Sequence, residues 1–309
     1  MSENNEIINV CFSCDDNYLP YTGVAIASIL YNAKEEDKIR FYILGDGLDE
    51  ENKNKIYSLT SIKPCEINFI QVDRKYFNEF EQVKTHPHLP LASFYRLKLS
   101  RFLPNISRVI YFDCDFVVCT SLRELFDQDL GNCIIGGVLD INKRKVKENP
   151  TYINSGMIVF DLDKIREQNI EEQFKECANR QSDKIRLGDQ DIINVILKDK
   201  IKLLEGEWNL QSSNFVNRSS FSNTPKAIHL LGKPWKYGSL CIHKKEYFKY
   251  LQMTPWAKDK KDIKNWTIYN EIVSDILFIK RRPLFFLRPH FYIGLYYKYI
   301  DPIFIKHGK

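Results

Sequence analysis

The N-terminal part of the chain alternates between short apolar runs and segments with helical spacing. Residues 7–12 form an apolar run that ends in the polar cluster of residues 13–17. Residues 22–31 follow, and their apolar side chains recur at Ile26, Ile29 and Leu30. Because such spacing places side chains on one face of a helix, this order predicts a strand, a loop and a helix.

The same alternation continues to residue 72. Residues 39–44 have the pattern of a second strand that stops at Gly45-Asp46-Gly47, residues 48–59 have a helical pattern, and residues 66–72 form a third strand-like run. Strands that alternate with helices predict an α/β fold with a largely parallel sheet. No internal repeat or Pro/Gly-rich linker marks a boundary before about residue 245, so we expect one large domain with an appendage.

Two polar clusters directly follow apolar runs, where ligands bind in open parallel sheets. The first is residues 13–17, and the second is Asp113-Cys114-Asp115, which lies between the apolar residues 109–112 and 116–118. Two aspartates at i and i+2 of a strand point to the same face, and a divalent cation would compensate their buried charge. Oxygen ligands favour Mg²⁺ or Mn²⁺. The alternative is that the two aspartates are solvated carboxylates of a surface loop, where pairs with this spacing are common.

A histidine ends a later apolar run and is soon followed by glycine and lysine. The neutral imidazole of His229 could complete a metal shell, Gly232 would let the backbone approach a phosphate, and Lys233 would neutralise phosphate charge. The alternative is a structural histidine beside an ordinary loop.

Composition narrows the class of protein. With 309 residues and 44% hydrophobic content, the chain can bury a full core. The N-terminal residues lack the basic and apolar regions of a secretory signal, and no charge-free apolar run reaches the ~18 residues of a membrane-spanning helix. We therefore expect a cytoplasmic protein with eight reduced cysteines. Cys11 and Cys14 have C-x-x-C spacing, for which zinc or redox chemistry is the alternative.

The C-terminal segment 278–309 differs in charge from the rest of the chain. It contains seven Lys/Arg against one acidic residue, so its net charge is +6. Since the whole chain has a net charge of +5, the rest of the chain has a net charge of −1. The main body therefore lacks the basic surface of a nucleic-acid-binding protein. Nine aromatic residues interleave with the seven cations, which is typical of a helix that binds an anionic membrane surface. The alternatives are a helix docked on the domain through its aromatic side chains, and nucleic-acid binding by the segment.

Six short segments, in the same order along the chain, resemble glycosyltransferase family 8 over about residues 7–256. They are Ser13-Cys14-Asp15-Asp16-Asn17-Tyr18, Ala92-Ser93-Phe94-Tyr95-Arg96-Leu97, Tyr111-Phe112-Asp113-Cys114-Asp115, Tyr152-Ile153-Asn154-Ser155-Gly156, Gly188-Asp189-Gln190-Asp191 and residues 229–235. The resemblance implies a GT-A-type, Rossmann-like nucleotide-binding domain with a mostly parallel central sheet over residues 1–256. A basic and aromatic helical tail would follow over residues 257–309.

The resemblance also assigns roles to single residues. It implies a Mn²⁺ ion, with Mg²⁺ as the alternative, held by Asp113, Asp115 and His229. The diphosphate of a UDP-sugar would be held by Gly232 and Lys233, and its uridine by Ser13, Asp15 and Asn17. The residues around the transferred sugar would be Arg96, Asn154, Asp189 and Gln190, and Asp140 would lie where the acceptor enters.

The activity implied is retaining transfer of a hexose, galactose or glucose, from a UDP-sugar to a saccharide acceptor. That acceptor would be lipid-linked, in bacterial lipopolysaccharide or surface polysaccharide synthesis, with the enzyme peripheral on the inner face of the cytoplasmic membrane. Retaining hydrolases use a carboxylate nucleophile, whereas the matching residue here is Gln190, which favours front-face attack by the acceptor. Asp189 also suits the N-cap of a helix.

The residues alone are also compatible with two other classes of protein. One is a metal-dependent nucleotidyltransferase or phosphohydrolase acting on nucleotide sugars, which also uses paired aspartates. The other is a catalytically inactive, membrane-binding scaffold with a transferase fold.

Overall fold

The computed structural model describes residues 6–83, 90–182, 184–212, 224–236, 241 and 243–257, with the single positions Ile276, Lys280 and Tyr292. The basic, aromatic segment 278–309 therefore lies outside the described residues except at two positions. Within the described part of the chain, no helix combines the length and apolar character needed to cross a membrane.

The strands within the described residues are β1 (Ile8–Ser13), β2 (Ile39–Gly45), β3 (Glu66–Gln71), β4 (Arg108–Phe112), β5 (Phe116–Val118), β6 (Ile135–Leu139), β7 (Ile153–Asp161), β8 (Ile201–Leu203), β9 (Leu210–Gln211) and β10 (Ala227–His229). The α-helices are α1 (Leu19–Asn32), α2 (Glu50–Tyr57), α3 (Leu99–Phe102), α4 (Arg123–Phe126), α5 (Lys143–Glu148), α6 (Leu162–Glu167), α7 (Ile170–Arg180), α8 (Asp189–Ile196) and α9 (Lys244–Leu251). Short 3-10 segments cover Ser58–Ser61, Arg74–Val83, Leu91–Lys98, Gly206–Asn209 and Pro255–Ala257.

The strand and helix pattern predicted for the first 72 residues is confirmed. Pro20 lies in the first turn of α1, where its missing N–H costs no hydrogen bond. The helix predicted over residues 48–59 is α2 followed by a 3-10 turn, and it begins where the Asp49 carboxylate accepts hydrogen bonds from the N–H groups of Glu51 and Asn52.

A seven-stranded sheet in the order β3-β2-β1-β4-β7-β6-β8 forms the centre of the fold. Strands β3, β2, β1 and β4 run parallel, β7 is antiparallel to both β4 and β6, and β8 is parallel to β6. A second sheet of three strands has the order β5-β10-β9. The expected α/β fold with a mostly parallel sheet is therefore confirmed.

The central sheet is buried on both faces. In β1, Val10 and Phe12 belong to one apolar cluster, and Cys11 between them belongs to the other. Because successive side chains of a strand point to opposite faces, a strand covered on both sides is buried and mostly apolar, as β1 and β4 are. The polar side chains of these two strands are at or next to the strand ends: Asn9 and Ser13 in β1, and Arg108 in β4.

The second sheet brings a distant part of the chain to the end of β4. Strand β5 follows β4 after a short turn, and β10 pairs with β5 in antiparallel register, with His229 opposite Phe116. The rings of these two residues stack at 4.4 Å between centroids. This pairing carries His229 to the turn that contains Asp113 and Asp115.

Candidate active site

A pocket of about 410 Å³ opens where β1 and β4 end. The predicted site residues that line it are Ser13, Asp15, Arg96, Asp113, Asp115, Asn154, Asp189, Gln190, His229 and Lys233. The fold thus brings together side chains that are up to 220 positions apart in the sequence, from Ser13 to Lys233.

Asp113 and Asp115 lie in the turn between β4 and β5, not within one strand as the i, i+2 argument assumed. Two backbone hydrogen bonds hold this turn: the Asp113 N–H donates to the Gly156 carbonyl, and the Leu230 N–H donates to the Asp115 carbonyl, each at 2.7 Å. The carboxylates therefore converge because of the turn and its neighbours. His229 Nε2 lies 3.2 Å from Asp115 Oδ1 and 3.8 Å from Asp113 Oδ2.

These three side chains fit a divalent metal ion. Their ligand atoms lie within 4.8 Å of one another, and they form the one cluster of this kind among the described residues. His229 Nδ1 lies 3.1 Å from the side-chain oxygen of Asn154. Because that oxygen accepts a hydrogen bond, the imidazole proton is kept on Nδ1, and the Nε2 lone pair faces the carboxylates. Two carboxylates and a neutral imidazole suit Mn²⁺ or Mg²⁺.

Lys233 supplies a positive charge beside the metal cluster. Its ammonium group hydrogen-bonds to Asp115, and it lies 5.9 Å from the ring centroid of Tyr18. Burial alone would raise the pKa of Asp115, but the charge of the Lys233 ammonium group outweighs burial and holds that pKa well below its usual range. Lys233 has φ 49°, a left-handed backbone conformation that is uncommon outside glycine and that forms a tight turn here. Asp115 is therefore an anion next to a fixed cation.

Arg96 joins the metal cluster to Asp189. Its side chain is only 3% exposed, and Nη2 donates to Asp113 Oδ1 at 2.5 Å while Nε lies 3.1 Å from Asp189 Oδ2. Burial raises the pKa of Asp189 to about 6; Arg96 opposes that rise and the charge of Asp113 adds to it. Gly188 is the N-cap of α8 and Asp189 is its first residue, so the N-cap interpretation of Asp189 is shifted by one position.

A network of amide hydrogen bonds links the pocket to Asp140. Gln190 Oε1 accepts from Asn154 Nδ2 at 3.2 Å and from the Ser155 N–H at 3.0 Å. Asp140 Oδ2 in turn accepts from Asn154 Nδ2 at 3.0 Å and from Gln190 Nε2 at 3.1 Å. Asp140 does not line the pocket itself, but this network places it at the pocket's edge.

Two predicted residues are not brought into the pocket. Asn17 is exposed in the turn before α1 and is absent from the lining. Gly232 is buried, and its N–H donates to the Ser212 carbonyl at 2.9 Å, so it does not line the pocket either. The C-x-x-C pair, Cys11 and Cys14, is buried, and all eight cysteines are free thiols.

Sequence reasoning missed three residues that shape the site. Tyr18 lines the pocket next to Asp15, and the side-chain N–H of Asn209 donates to Asn154 Oδ1 at 3.0 Å. At Gly156, a Cβ atom would contact the His229 ring and would lie 2.9 Å from Asn154 Oδ1, so only glycine fits there. Tyr18 and Gly156 stand inside two of the six segments, whereas nothing in the sequence signals Asn209, 55 positions from its partner.

Comparisons with known proteins find relatives that match most of this chain. General stress protein A of Bacillus subtilis is 29% identical over 276 residues, which cover 82% of this chain and 96% of that protein. The lipopolysaccharide 1,2-glucosyltransferase of Escherichia coli is 27% identical over 285 residues, covering 82% of this chain and 80% of the relative.

The fold is also that of solved glycosyltransferases. The galactosyltransferase LgtC, solved with donor and acceptor sugar analogues, superposes with a TM-score of 0.70 at 23% identity, covering 82% of this chain and all of LgtC, and the shared fold is of the GT-A type. The model of glycosyl transferase family 8, whose GT-A members use a metal ion and a nucleotide sugar, matches residues 9–239. Because this match spans most of the 309 residues, the chain belongs to glycosyl transferase family 8.

Proposed function

We propose that this protein is a retaining hexosyltransferase that moves galactose or glucose from a UDP-sugar to a saccharide acceptor. The observation that carries the proposal is the cluster of Asp113, Asp115 and His229, with Lys233 hydrogen-bonded to Asp115, inside a pocket that also holds Asp189. Such a cluster binds a metal diphosphate at one end of the pocket and leaves the other end for the sugar.

In this proposal the donor lies along the pocket from the end of β1 to the start of α8. Ser13 and Asp15 contact the uridine, with Tyr18 beside them. The Ser13 hydroxyl lies 2.6 Å from the Tyr111 hydroxyl, and Asp15 Oδ1 accepts from the Tyr18 N–H at 3.1 Å, so both polar groups are held in place. Asn17 would reach the nucleotide only from the exposed rim.

Cleavage of the bond between the anomeric carbon and UDP develops negative charge on the departing phosphate. A Mn²⁺ or Mg²⁺ ion held by Asp113, Asp115 and His229 supplies Lewis-acid stabilisation of that charge when bound. Lys233 adds a fixed cation on the same side of the pocket, and its tight backbone turn keeps the ammonium there. The Gly232 N–H is already bonded to the Ser212 carbonyl, so in this proposal Lys233 holds the diphosphate.

At the sugar end, Arg96, Asn154, Asp189 and Gln190 orient the hexose. Gln190 is an uncharged amide, so it cannot act as an anionic nucleophile, and its oxygen already accepts hydrogen bonds from Asn154 and Ser155. Asp189 is tied to Arg96 and Ser155. We therefore favour front-face attack, in which the acceptor hydroxyl loses its proton to the leaving phosphate and the configuration of the sugar is retained. Asp140 receives the acceptor at the edge of the pocket.

The acceptor is proposed to be a lipid-linked saccharide of a bacterial surface polysaccharide. The name of the related lipopolysaccharide 1,2-glucosyltransferase supports a lipid-linked glycan, and the basic, aromatic segment 278–309 supports attachment to the inner face of the cytoplasmic membrane.

The test is to incubate the purified protein with Mn²⁺ or Mg²⁺ and a panel of nucleotide sugars, and to measure nucleotide release. UDP release from UDP-galactose or UDP-glucose is expected, and Asp113→Asn or Asp115→Asn should lower turnover by at least about 100-fold with the fold intact. Release of a sugar 1-phosphate would indicate a nucleotidyltransferase or phosphohydrolase that cleaves between the two phosphates, and no release with any donor would indicate an inactive scaffold.

A further inference from the structure

A second concave surface adjoins the active site at Asp140. This groove of about 740 Å³ lies between α5 and the segment that joins β8 to β9, and its wall on the α5 side contains Lys143, Val146 and Lys147. Asp140 belongs to the lining of the groove and, through Asn154 and Gln190, to the hydrogen-bond network of the active site. A saccharide that presents a hydroxyl at Asp140 would therefore extend into this groove.

The floor of the groove suits a sugar ring. It includes the apolar side chains of Val138, Ile141 and Leu210, which can cover the C–H face of a ring. The side-chain amide of Gln211 is buried and braces the wall, because its Nε2 donates to the Leu139 carbonyl at 2.8 Å and its Oε1 accepts from the Ile141 N–H at 3.2 Å. The groove is thus built from fixed elements.

Helix α5 places unneutralised positive charge along this groove. It carries four cations against Glu148, and two of the four have acidic partners: Arg144 pairs with Glu148 at 3.0 Å, and Lys145 pairs with Asp191 at 2.8 Å. Lys143 and Lys147 are exposed, and among the described residues no hydrogen bond or ion pair engages their ammonium groups. These are the two lysines that line the groove.

The spacing of the two lysines allows them to act on one group. Residues at i and i+4 of a helix lie on the same face, about 6 Å apart, so both ammonium groups can reach the oxygens of one phosphate or carboxylate. The groove also contains two acidic side chains. The Asp140 carboxylate is engaged by two amides and the Asn142 N–H, and Glu207 is on the segment that joins β8 to β9, where it can accept hydrogen bonds from sugar hydroxyls.

We infer that the groove binds the acceptor and that Lys143 and Lys147 select an acceptor with an anionic group, a phosphate or a carboxylate, close to the sugar that receives the hexose. This inference rests on the proposed function. It narrows the acceptor from any saccharide to an anionic one, with the charge on the side of α5.

The test compares matched acceptor sugars that differ by one anionic group: N-acetylglucosamine and its 1-phosphate, glucose and glucose 6-phosphate, and glucose and glucuronic acid. Their dissociation constants are measured by NMR titration of the full chain saturated with UDP and Mg²⁺. In at least one pair the anionic sugar should bind about tenfold more tightly than the neutral one. The variant Lys143→Gln/Lys147→Gln should lose this preference.

The matched control is Lys38→Gln/Lys202→Gln, which removes the same charge at two exposed lysines that do not line the groove and should keep the preference. The inference is overturned if no anionic sugar binds more tightly than its neutral partner, or if the groove variant keeps the preference. It is also overturned if the only effect of the groove variant is weaker sedimentation with anionic liposomes, since the lysines would then serve a membrane surface.

Hydrolysis of UDP-sugars in the absence of an acceptor separates this inference from the proposed function. A protein that hydrolyses a UDP-sugar but shows no anionic preference keeps the proposed function and loses the inference. A protein that hydrolyses no UDP-sugar loses the proposed function, whatever its preference among acceptors.

Discussion

Replacing Asp189 by Asn should change how the stability of the protein depends on pH. The Asp189 side chain is 5% exposed, and its Oδ2 lies 3.1 Å from both Arg96 Nε and Ser155 Oγ. Burial raises its pKa from 3.8 to about 6 even though Arg96 opposes the rise, because Asp113 adds a second negative charge nearby. The folded protein therefore holds this proton more tightly than the unfolded chain.

The direction and size of the effect follow from linkage. A carboxyl with a raised pKa in the folded state contributes stability that is complete below its unfolded pKa and is lost as the pH rises through its folded pKa. A shift of about two pH units corresponds to about 3 kcal/mol, at about 1.4 kcal/mol for each unit. Between pH 4 and pH 7 the wild type should thus lose about 3 kcal/mol of unfolding free energy relative to Asp189→Asn, whose side chain does not titrate.

Urea unfolding of both proteins at several pH values from 4 to 7, in EDTA so that no metal ion binds beside Asp189, measures this difference. The exposed Asp199→Asn provides the control and should follow the wild type. A difference between wild type and Asp189→Asn that is independent of pH, or that changes in the opposite direction, would show that the Arg96 ion pair outweighs burial and would refute the reasoning.

Three further predictions follow from the contacts of the site. Gly156→Ala should lower Mn²⁺ affinity by about tenfold, because its Cβ would lie 2.7 Å from His229 Nδ1 and would displace the imidazole. The control is Gly206→Ala, where a Cβ meets nothing within 4 Å and Mn²⁺ affinity should not change. Equal affinities of the two variants in a Mn²⁺ titration would contradict this. Gln190→Ala should slow hexose transfer by at least about tenfold and leave UDP affinity unchanged, since Gln190 contacts Asn154 and Asp140, which we propose to face the sugar and the acceptor. A covalent glycosyl-enzyme in the wild type would contradict front-face attack. Removal of residues 278–309 should abolish sedimentation with anionic liposomes at low salt and preserve UDP-sugar hydrolysis; binding that persists would reject the membrane role, and loss of folding would support a docked helix.

The parts of the fold that the sequence predicts are those where a local pattern and the tertiary environment agree. Strands β1 and β2 are mostly apolar because both faces of the sheet are covered, so the pattern alone located them. The polar residues that follow β1 and β4 were found because each cluster comes directly after an apolar run, and ligands bind at the carboxyl ends of parallel strands.

Other features depend on contacts that no local pattern encodes. Asp113 and Asp115 converge through a turn held by Gly156 and Leu230, which lie far along the chain. The link from Asn154 to Asn209 and the groove beside α5 likewise arise only when separate segments pack together. The resemblance placed Gly232 at the diphosphate, but the pairing of its N–H with Ser212 became visible only in the folded chain.

The central claim is that Asp113, Asp115 and His229 together hold one divalent ion that the UDP-sugar reaction requires. Titration of Mn²⁺ into the UDP-saturated protein, followed by the electron paramagnetic resonance signal of free Mn²⁺, tests it most directly. We expect one bound ion per chain, matching the one cluster among the described residues, and an affinity lower by at least about tenfold in both Asp115→Asn and His229→Gln but unchanged in Asp199→Asn. Unchanged Mn²⁺ affinity in Asp115→Asn and His229→Gln would contradict the claim.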